Sequence, residues 1–193
     1  RATADAIAAA CRVDRARVRV IPHGLDHGRF TPPPPTALDA VRRRLGVERP
    51  FVLQLGALEP RRGTDLALAA VGALRASQPE VELVLVGEAR MAIKELDAPP
   101  PWVRRLGRVA DEDLPALYAA AAVVIAPSRG EGFDFPVLEA LACGAPVVAS
   151  DIAVHVEHFA PAVELFASGD AVALATALGT VLGDSARAAA LRA

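Results

Sequence analysis

Apolar positions along the chain fall into two arrangements. Short unbroken runs rich in Val, Ile and Leu stand at 51–56 (FVLQLG), 81–87 (VELVLVG), 122–126 (AVVIA) and 146–149 (PVVA), with 102–107 (WVRRLG) a weaker fifth. Runs of this kind predict strands buried on both faces, as in a parallel sheet. Between them, apolar residues at helical spacing predict helices over 64–77, 112–121 and 135–143, with weaker helical signals near 90–97 and 152–158. A last short strand is predicted at 163–166, then helices at 171–182 and 184–192. Upstream, 1–12 reads as an Ala-rich helix, 17–21 (RVRVI) as a short strand, and 37–45 (ALDAVRRRL) as a short helix stopped by Gly46. Strands alternating with helices predict an α/β fold, a parallel sheet with helices on both faces. Ligands in such folds bind beyond the carboxyl ends of the strands.

The turn at 22–26 (PHGLD) and the proline run at 32–35 fit neither helix nor central strand. Residues 22–36 therefore read as a linker, separating 1–21 from a domain over 37–193.

Composition narrows the class. Of 193 residues 53% are hydrophobic but only 4% aromatic, so the core must be built from Ala, Val and Leu. A net charge of −2 argues against the strongly basic surface of a nucleic-acid binder. Cys11 and Cys143 lie far apart with no metal or redox spacing, which fits a reduced, cytoplasmic setting. The first residues lack the features of a signal peptide, and the longest apolar stretch, 114–127, is short and interrupted by Pro115, so no transmembrane segment is expected.

The candidate chemistry centres on 128–144 (SRGEGFDFPVLEALACG). It follows a predicted strand; Pro136 suits a first helical turn and Gly144 a helix stop. Glu131 then lies in the turn and Glu139 about one turn into the helix, with free backbone N–H groups between them. Helix N-termini suit phosphate, and carboxylates accept hydrogen bonds from sugar hydroxyls. Two carboxylates flanking such a helix end suit a ligand laid out as polyol, phosphate, polyol, which is the layout of a nucleotide-sugar. A second turn, 56–64 (GALEPRRGT), also leaves a strand and enters a helix. Arg61 and Arg62 stand there in reach of a diphosphate, whose oxygens a guanidinium fork matches.

Other motifs fail. Gly63-Thr64 lacks the lysine of a phosphate-binding G-x-x-x-x-G-K-[ST] loop, and Gly130-x-Gly132 meets Phe at position 135 instead of glycine. His155 and His158 beside Glu157 lack a third metal ligand and read as surface or packing residues. Asp111, Glu112 and Asp113 read as the capped, acidic start of a helix.

These residues resemble the GT-B glycosyltransferases of retaining family 4 (glycosyl transferases group 1). Glu131-Gly132-Phe133 … Pro136-Val137-Leu138-Glu139 is similar to that family's E-x7-E signature, and 142–151 (ACGAPVVASD) to the run that follows it. The turn at 56–63, the segment Leu106-Gly107-Arg108-Val109 with 111–118, and the 22–26 turn also resemble family segments. The likeness covers about residues 15–182.

The resemblance implies a Rossmann-like, C-terminal, donor-binding half of a GT-B fold, with 1–21 the remnant of a preceding N-terminal domain that would hold the acceptor. It implies that Glu131 binds the donor sugar as the catalytic carboxylate and Glu139 the ribose hydroxyls. Arg61 and Arg62 would face the diphosphate, and the Val109 backbone would lie against the base. Gly132, Phe133, Asp134, Phe135 and Leu138 would complete the donor site, amides around 133–135 meeting the distal phosphate. The implied reaction is hexose transfer from a GDP- or UDP-sugar to a glycan or lipid-linked acceptor, with no cofactor or metal. The EPRR turn leans toward mannosyltransferases of polysaccharide assembly. The parent protein would have no nucleic-acid partner and could associate peripherally with membrane. The isolated chain is expected to be inactive without its N-terminal domain. A non-catalytic nucleotide-sugar-binding half and a GT-B-like epimerase are the alternatives. Arg62 stands where the family usually has lysine, and three departures stand out: Ala57 replaces an arginine of some members, Asp134 a usual glycine, and the sequence leaves no room for the expected N-terminal domain. Were Asp134 to cap the helix, its charge would compete with the donor phosphate.

Overall fold

The structure, a computed structural model, describes residues 1–89 and 91–192. Six strands form one parallel sheet: β1 (Phe51–Leu55), β2 (Glu82–Val86), β3 (Val103–Gly107), β4 (Val123–Ala126), β5 (Val147–Ser150) and β6 (Glu164–Phe166), in the order β3-β2-β1-β4-β5-β6. Val52 lies between Leu83 of β2 and Val123 of β4, which sets the register at the centre. The helices are α1 (Ala2–Cys11), α2 (Pro35–Leu45), α3 (Thr64–Leu74), α4 (Leu114–Ala120), α5 (Phe135–Ala142), α6 (Ala153–Phe159), α7 (Ala171–Gly183) and α8 (Ser185–Arg192).

Successive strand residues point to opposite faces, and both faces are buried, which is why the strands read as continuous apolar runs. Val52, Leu83, Leu85, Val123 and Val148 pack with α3, α7 and α8, whereas Leu53, Val84, Val124 and Val147 pack with α2, α4 and α5. The expected Rossmann-like doubly covered sheet is present. The chain leaves β1 toward β2 on one side and reaches β4 on the other, so the sheet order reverses between β1 and β4. That reversal opens a crevice at their carboxyl ends.

Four local expectations change. Residues 17–21 join no strand of the sheet: a 3₁₀ turn at Arg15–Arg17, fixed by Asp14 accepting from the Ala16 amide, is followed by extended chain. The alternating pattern was strand-like, but a strand needs a neighbour for its N–H and C=O groups. The signal near 90–97 yields only a 3₁₀ turn at Lys94–Leu96, because the chain after β2 runs beside the β1 turn, with the Leu58 amide on Glu88 O and Leu58 bridging Ala89; position 90 itself lies outside the described residues. Helix α2 begins at Pro35, inside the proline run, since proline's fixed φ suits a first turn. Asp113 does not cap α4 with its side chain; its carboxylate is taken by Arg44. Among the described residues no helix is long and apolar enough to cross a membrane.

Candidate functional site

The turns after β1 and β4 meet at the crevice. Gly63, at φ 67°, packs its backbone against Pro127, and a side-chain carbon there would overlap the Pro127 carbonyl. The Arg129 amide donates to Arg61 O at 2.8 Å, and the Arg129 guanidinium forks onto Asp65 of α3 at 2.9 and 2.7 Å. That pair holds the Asp65 carboxyl below its ordinary range, with the hydrogen bond from Arg129 the largest cause. Gly56, at φ 126°, leaves room for the Arg62 guanidinium, whose Nη1 lies 3.0 Å from where a Cβ would stand.

Charge converges between the two turns. Glu131, its side chain 6% exposed, lies 3.0 Å from Arg61 Nη1 and 3.5 Å from Arg62 Nε, and accepts from Ser128 Oγ at 2.9 Å. Arg61 also donates to Glu59 at 2.6 Å and to Gly130 O at 2.7 Å. Burial works to lower the Arg61 pKa, but the hydrogen bonds and charges of Glu131 and Glu59 outweigh it and the net direction is upward. The Arg62 Nε is buried without a hydrogen-bond partner; Glu131 is at ion-pair distance but not in hydrogen-bond geometry. Arg61 keeps half of its side chain exposed.

Asp134 does not cap the helix that follows it. It holds φ 81° at the N-cap of α5 and makes no side-chain cap bond. Its carboxylate turns inward, Oδ2 lying 3.1 Å from His155 Nε2 and Oδ1 3.5 Å from Arg62 Nη1. The left-handed backbone aims the side chain away from the helix amides. Pro136, without an N–H, removes one of the first-turn donors that a phosphate would use.

Glu139 lies on α5, where its Oε2 accepts from the hydroxyl of Tyr118 at 2.8 Å. Tyr118 is fully buried in α4, and its pKa is driven well up, by burial first and then by Glu139. The other predicted residues sit apart from the arginines. Gly132, Phe133 and Leu138 line an open cavity of about 400 Å³ that α1 and residues 18–23 also border. Phe133 and Phe135 form an edge-to-face pair at 5.2 Å, each also meeting His23. Val109, just past β3, packs against the α2–α4–α5 core. The structure thus brings Arg61, Arg62, Glu131 and Asp134 together and sets Glu139 on the helix that leaves them.

Sequence reasoning passed over Tyr118, Ser128 and His155 as site residues. Tyr118 carried a signal: it is the chain's one tyrosine, on an apolar helix face, and a buried phenol requires an acceptor. No group of three or more His, Cys, Asp or Glu among the described residues is placed to hold a metal.

The sequence profile of the glycosyl transferases group 1 family matches residues 49–184, from just before β1 to the end of α7. The chain is 37% identical over 203 aligned positions to a D-inositol 3-phosphate glycosyltransferase of Xylanimonas cellulosilytica, covering 93% of this chain and 46% of that protein. It is 33% identical over 184 positions to a GDP-mannose-dependent monoacylated alpha-(1-6)-phosphatidylinositol monomannoside mannosyltransferase of Corynebacterium glutamicum, covering 89% and 48%. Among solved structures, the Anabaena protein HepE in complex with UDP-glucose superimposes with a TM-score of 0.82 at 27% identity, covering 93% of this chain and 52% of that one. The chain spans about half the length of these proteins. The matched segment runs through all six strands and both turns of the crevice, and on that extent the chain belongs to the glycosyl transferases group 1 family.

Proposed function

We propose that this chain is the donor-binding part of a retaining, family 4 glycosyltransferase that moves a hexose, with mannose favoured, from a GDP- or UDP-sugar to a glycan or lipid-linked acceptor. One observation carries the reading: Glu131 is ion-paired to both Arg61 and Arg62 at the reversal point of a parallel sheet. The carboxylate offsets the charge of both guanidinium groups. A diphosphate takes over the guanidinium donors, which are suited to its oxygens, and releases Glu131 to accept from hydroxyls of the donor sugar. Arg61, half exposed, makes the first contact; Arg62, held over Gly56, is the fixed one.

When the sugar leaves, negative charge gathers on the departing diphosphate. Positive groups already in place there stabilise the charge as it forms, without reorganising. Amides around 133–135 add to that effect, less the donor that Pro136 lacks. Glu139 accepts from the ribose hydroxyls while Tyr118 fixes its other side, and the backbone of Val109 borders the base. No metal or cofactor is required in this scheme. Residues from α2 onward form the donor domain, the linker ends at Pro34, and the parent protein works in the cytoplasm, in contact with membrane when its acceptor is lipid-linked.

Calorimetric titration with GDP, UDP, ADP, GDP-mannose and UDP-glucose, without added metal, tests the reading. Binding through one base, lost in the Arg61→Ala/Arg62→Ala variant, is the expected result. An affinity unchanged in that variant, or no binding of any nucleotide, overturns it.

A further inference from the structure

Behind Arg62 lies a buried dyad. The His155 ring is fully enclosed, and the Asp134 side chain is 2% exposed. On one side of the ring, Nδ1 lies 2.9 Å from the carbonyl oxygen of Ser150, which can only accept. The hydroxyl of Ser150, 3.3 Å from the same nitrogen, is committed to Ser128 O at 2.6 Å. On the other side, Nε2 lies 3.1 Å from the Asp134 carboxylate. The ring is therefore flanked by acceptors at both nitrogens, with Phe159 the aromatic neighbour at 6.2 Å. A neutral imidazole with its proton toward Ser150 would turn a lone pair onto a carboxylate. A ring bearing hydrogen at both nitrogens gives each acceptor its donor, and such a ring offsets the charge of the Asp134 carboxylate.

The consequence falls on Arg62. Its Nη1 is 3.5 Å from the other oxygen of Asp134. An unneutralised carboxylate at that position would draw on the guanidinium's charge and oppose an anion. We propose that His155 is a positioning residue for the nucleotide: by neutralising Asp134 it leaves the charge of Arg62 to the donor diphosphate, while Asp134 keeps the guanidinium turned over Gly56. The chain thereby carries a carboxylate at the neck of a phosphate site without losing the site. Ser150 and Ser128 complete the relay, since Ser150 bonds the backbone of the turn that bears Glu131. This rests on the reading of Arg61 and Arg62 as the diphosphate ligands.

The effect belongs to phosphate charge and not to the base, and that separates it from a packing role. In His155→Gln the amide still meets Asp134 but supplies no charge. A unit charge one guanidinium away from a phosphate changes affinity on the order of tenfold in a partly buried site. Calorimetry with UDP and GDP is therefore expected to show about tenfold weaker binding of the recognised diphosphate, with the matching nucleoside, uridine or guanosine, unchanged. His155→Gln/Asp134→Asn, a neutral amide pair in which Asn tolerates the left-handed backbone, is expected to fold and to recover most of the lost affinity. Equal weakening of nucleoside and diphosphate, no change in His155→Gln, or no recovery in the double variant overturns the proposal. Should His155→Gln not fold, the double variant decides alone: an affinity tenfold below the parent chain overturns it, and one close to the parent chain supports it. Arg62→Ala distinguishes the underlying reading, which fails if that variant binds the diphosphate as the parent chain does.

Discussion

The Tyr118 hydroxyl donates to Glu139 Oε2 at 2.8 Å, tying the middle of α4 to the first turns of α5. The carboxylate thus has one oxygen held from within the core. Removing the partner, Tyr118→Phe, deletes a charge-assisted bond at a partly buried site and is expected to cost about 1.5–3 kcal/mol of stability. Urea unfolding measures this. Glu139→Ala is expected to weaken nucleotide binding about 10–100-fold, the worth of two hydroxyl bonds to a carboxylate, and to abolish discrimination against the 2′-deoxy nucleotide. Unaltered affinity in Glu139→Ala would sink the ribose assignment.

On the proposed function Glu131 would compete with the diphosphate for the arginines, so Glu131→Gln is expected to bind the bare nucleoside diphosphate more tightly, by roughly three- to tenfold. The same variant loses whatever extra affinity the sugar of the intact donor provides. Titrating the diphosphate and its sugar conjugate in parallel checks both directions at once. Weaker binding of the bare diphosphate would contradict the competition.

Gly63→Ala places a carbon on the Pro127 carbonyl at a positive φ, and the two turns must separate. The expected loss is about 2–4 kcal/mol, with nucleotide binding weakened in the molecules that remain folded. Gly130→Ala has open space around it and is expected to change stability by no more than about 0.5 kcal/mol. Thermal unfolding of the two variants side by side provides the comparison.

Alkali is expected to destabilise the fold. Burial, with Glu139 adding to it, pushes the Cys143 thiol from 9.0 up to about 11, and Tyr118 is raised in the same sense. Both groups are neutral in the folded chain where the unfolded chain has begun to ionise. Their contribution is complete below about pH 9 and falls as pH climbs toward 11. Melting temperatures recorded from pH 7 to 10.5 should therefore decline, and less steeply in Tyr118→Phe/Cys143→Ala. At neutral pH a thiol reagent is expected to label the exposed Cys11 and spare Cys143.

Much of this architecture was legible in sequence because both faces of the sheet are covered. Val52–Leu53 and Val123–Val124 must each be apolar in succession, and such runs stand out. β3 was faint because it is an edge strand with Arg104 and Arg105 exposed. The run at 17–21 misled because alternation describes a side-chain pattern and says nothing of a neighbouring strand. Arg61, Arg62 and Glu131 were legible from their turns. His155 was not: its partner is 21 positions away, and only the left-handed backbone of Asp134 turns the carboxylate toward it.

The contact between Gly63 and Pro127, reinforced by Arg129 on Asp65, gives the crevice its floor before any ligand arrives. Two loops that would otherwise have to be brought together already share one rigid seam. Under the proposed function little chain entropy would remain to be lost on association, and the interaction energy of a nucleotide would go into holding it and not into ordering its host. Such a site is preorganised, and it belongs to the backbone as much as to the charges it displays.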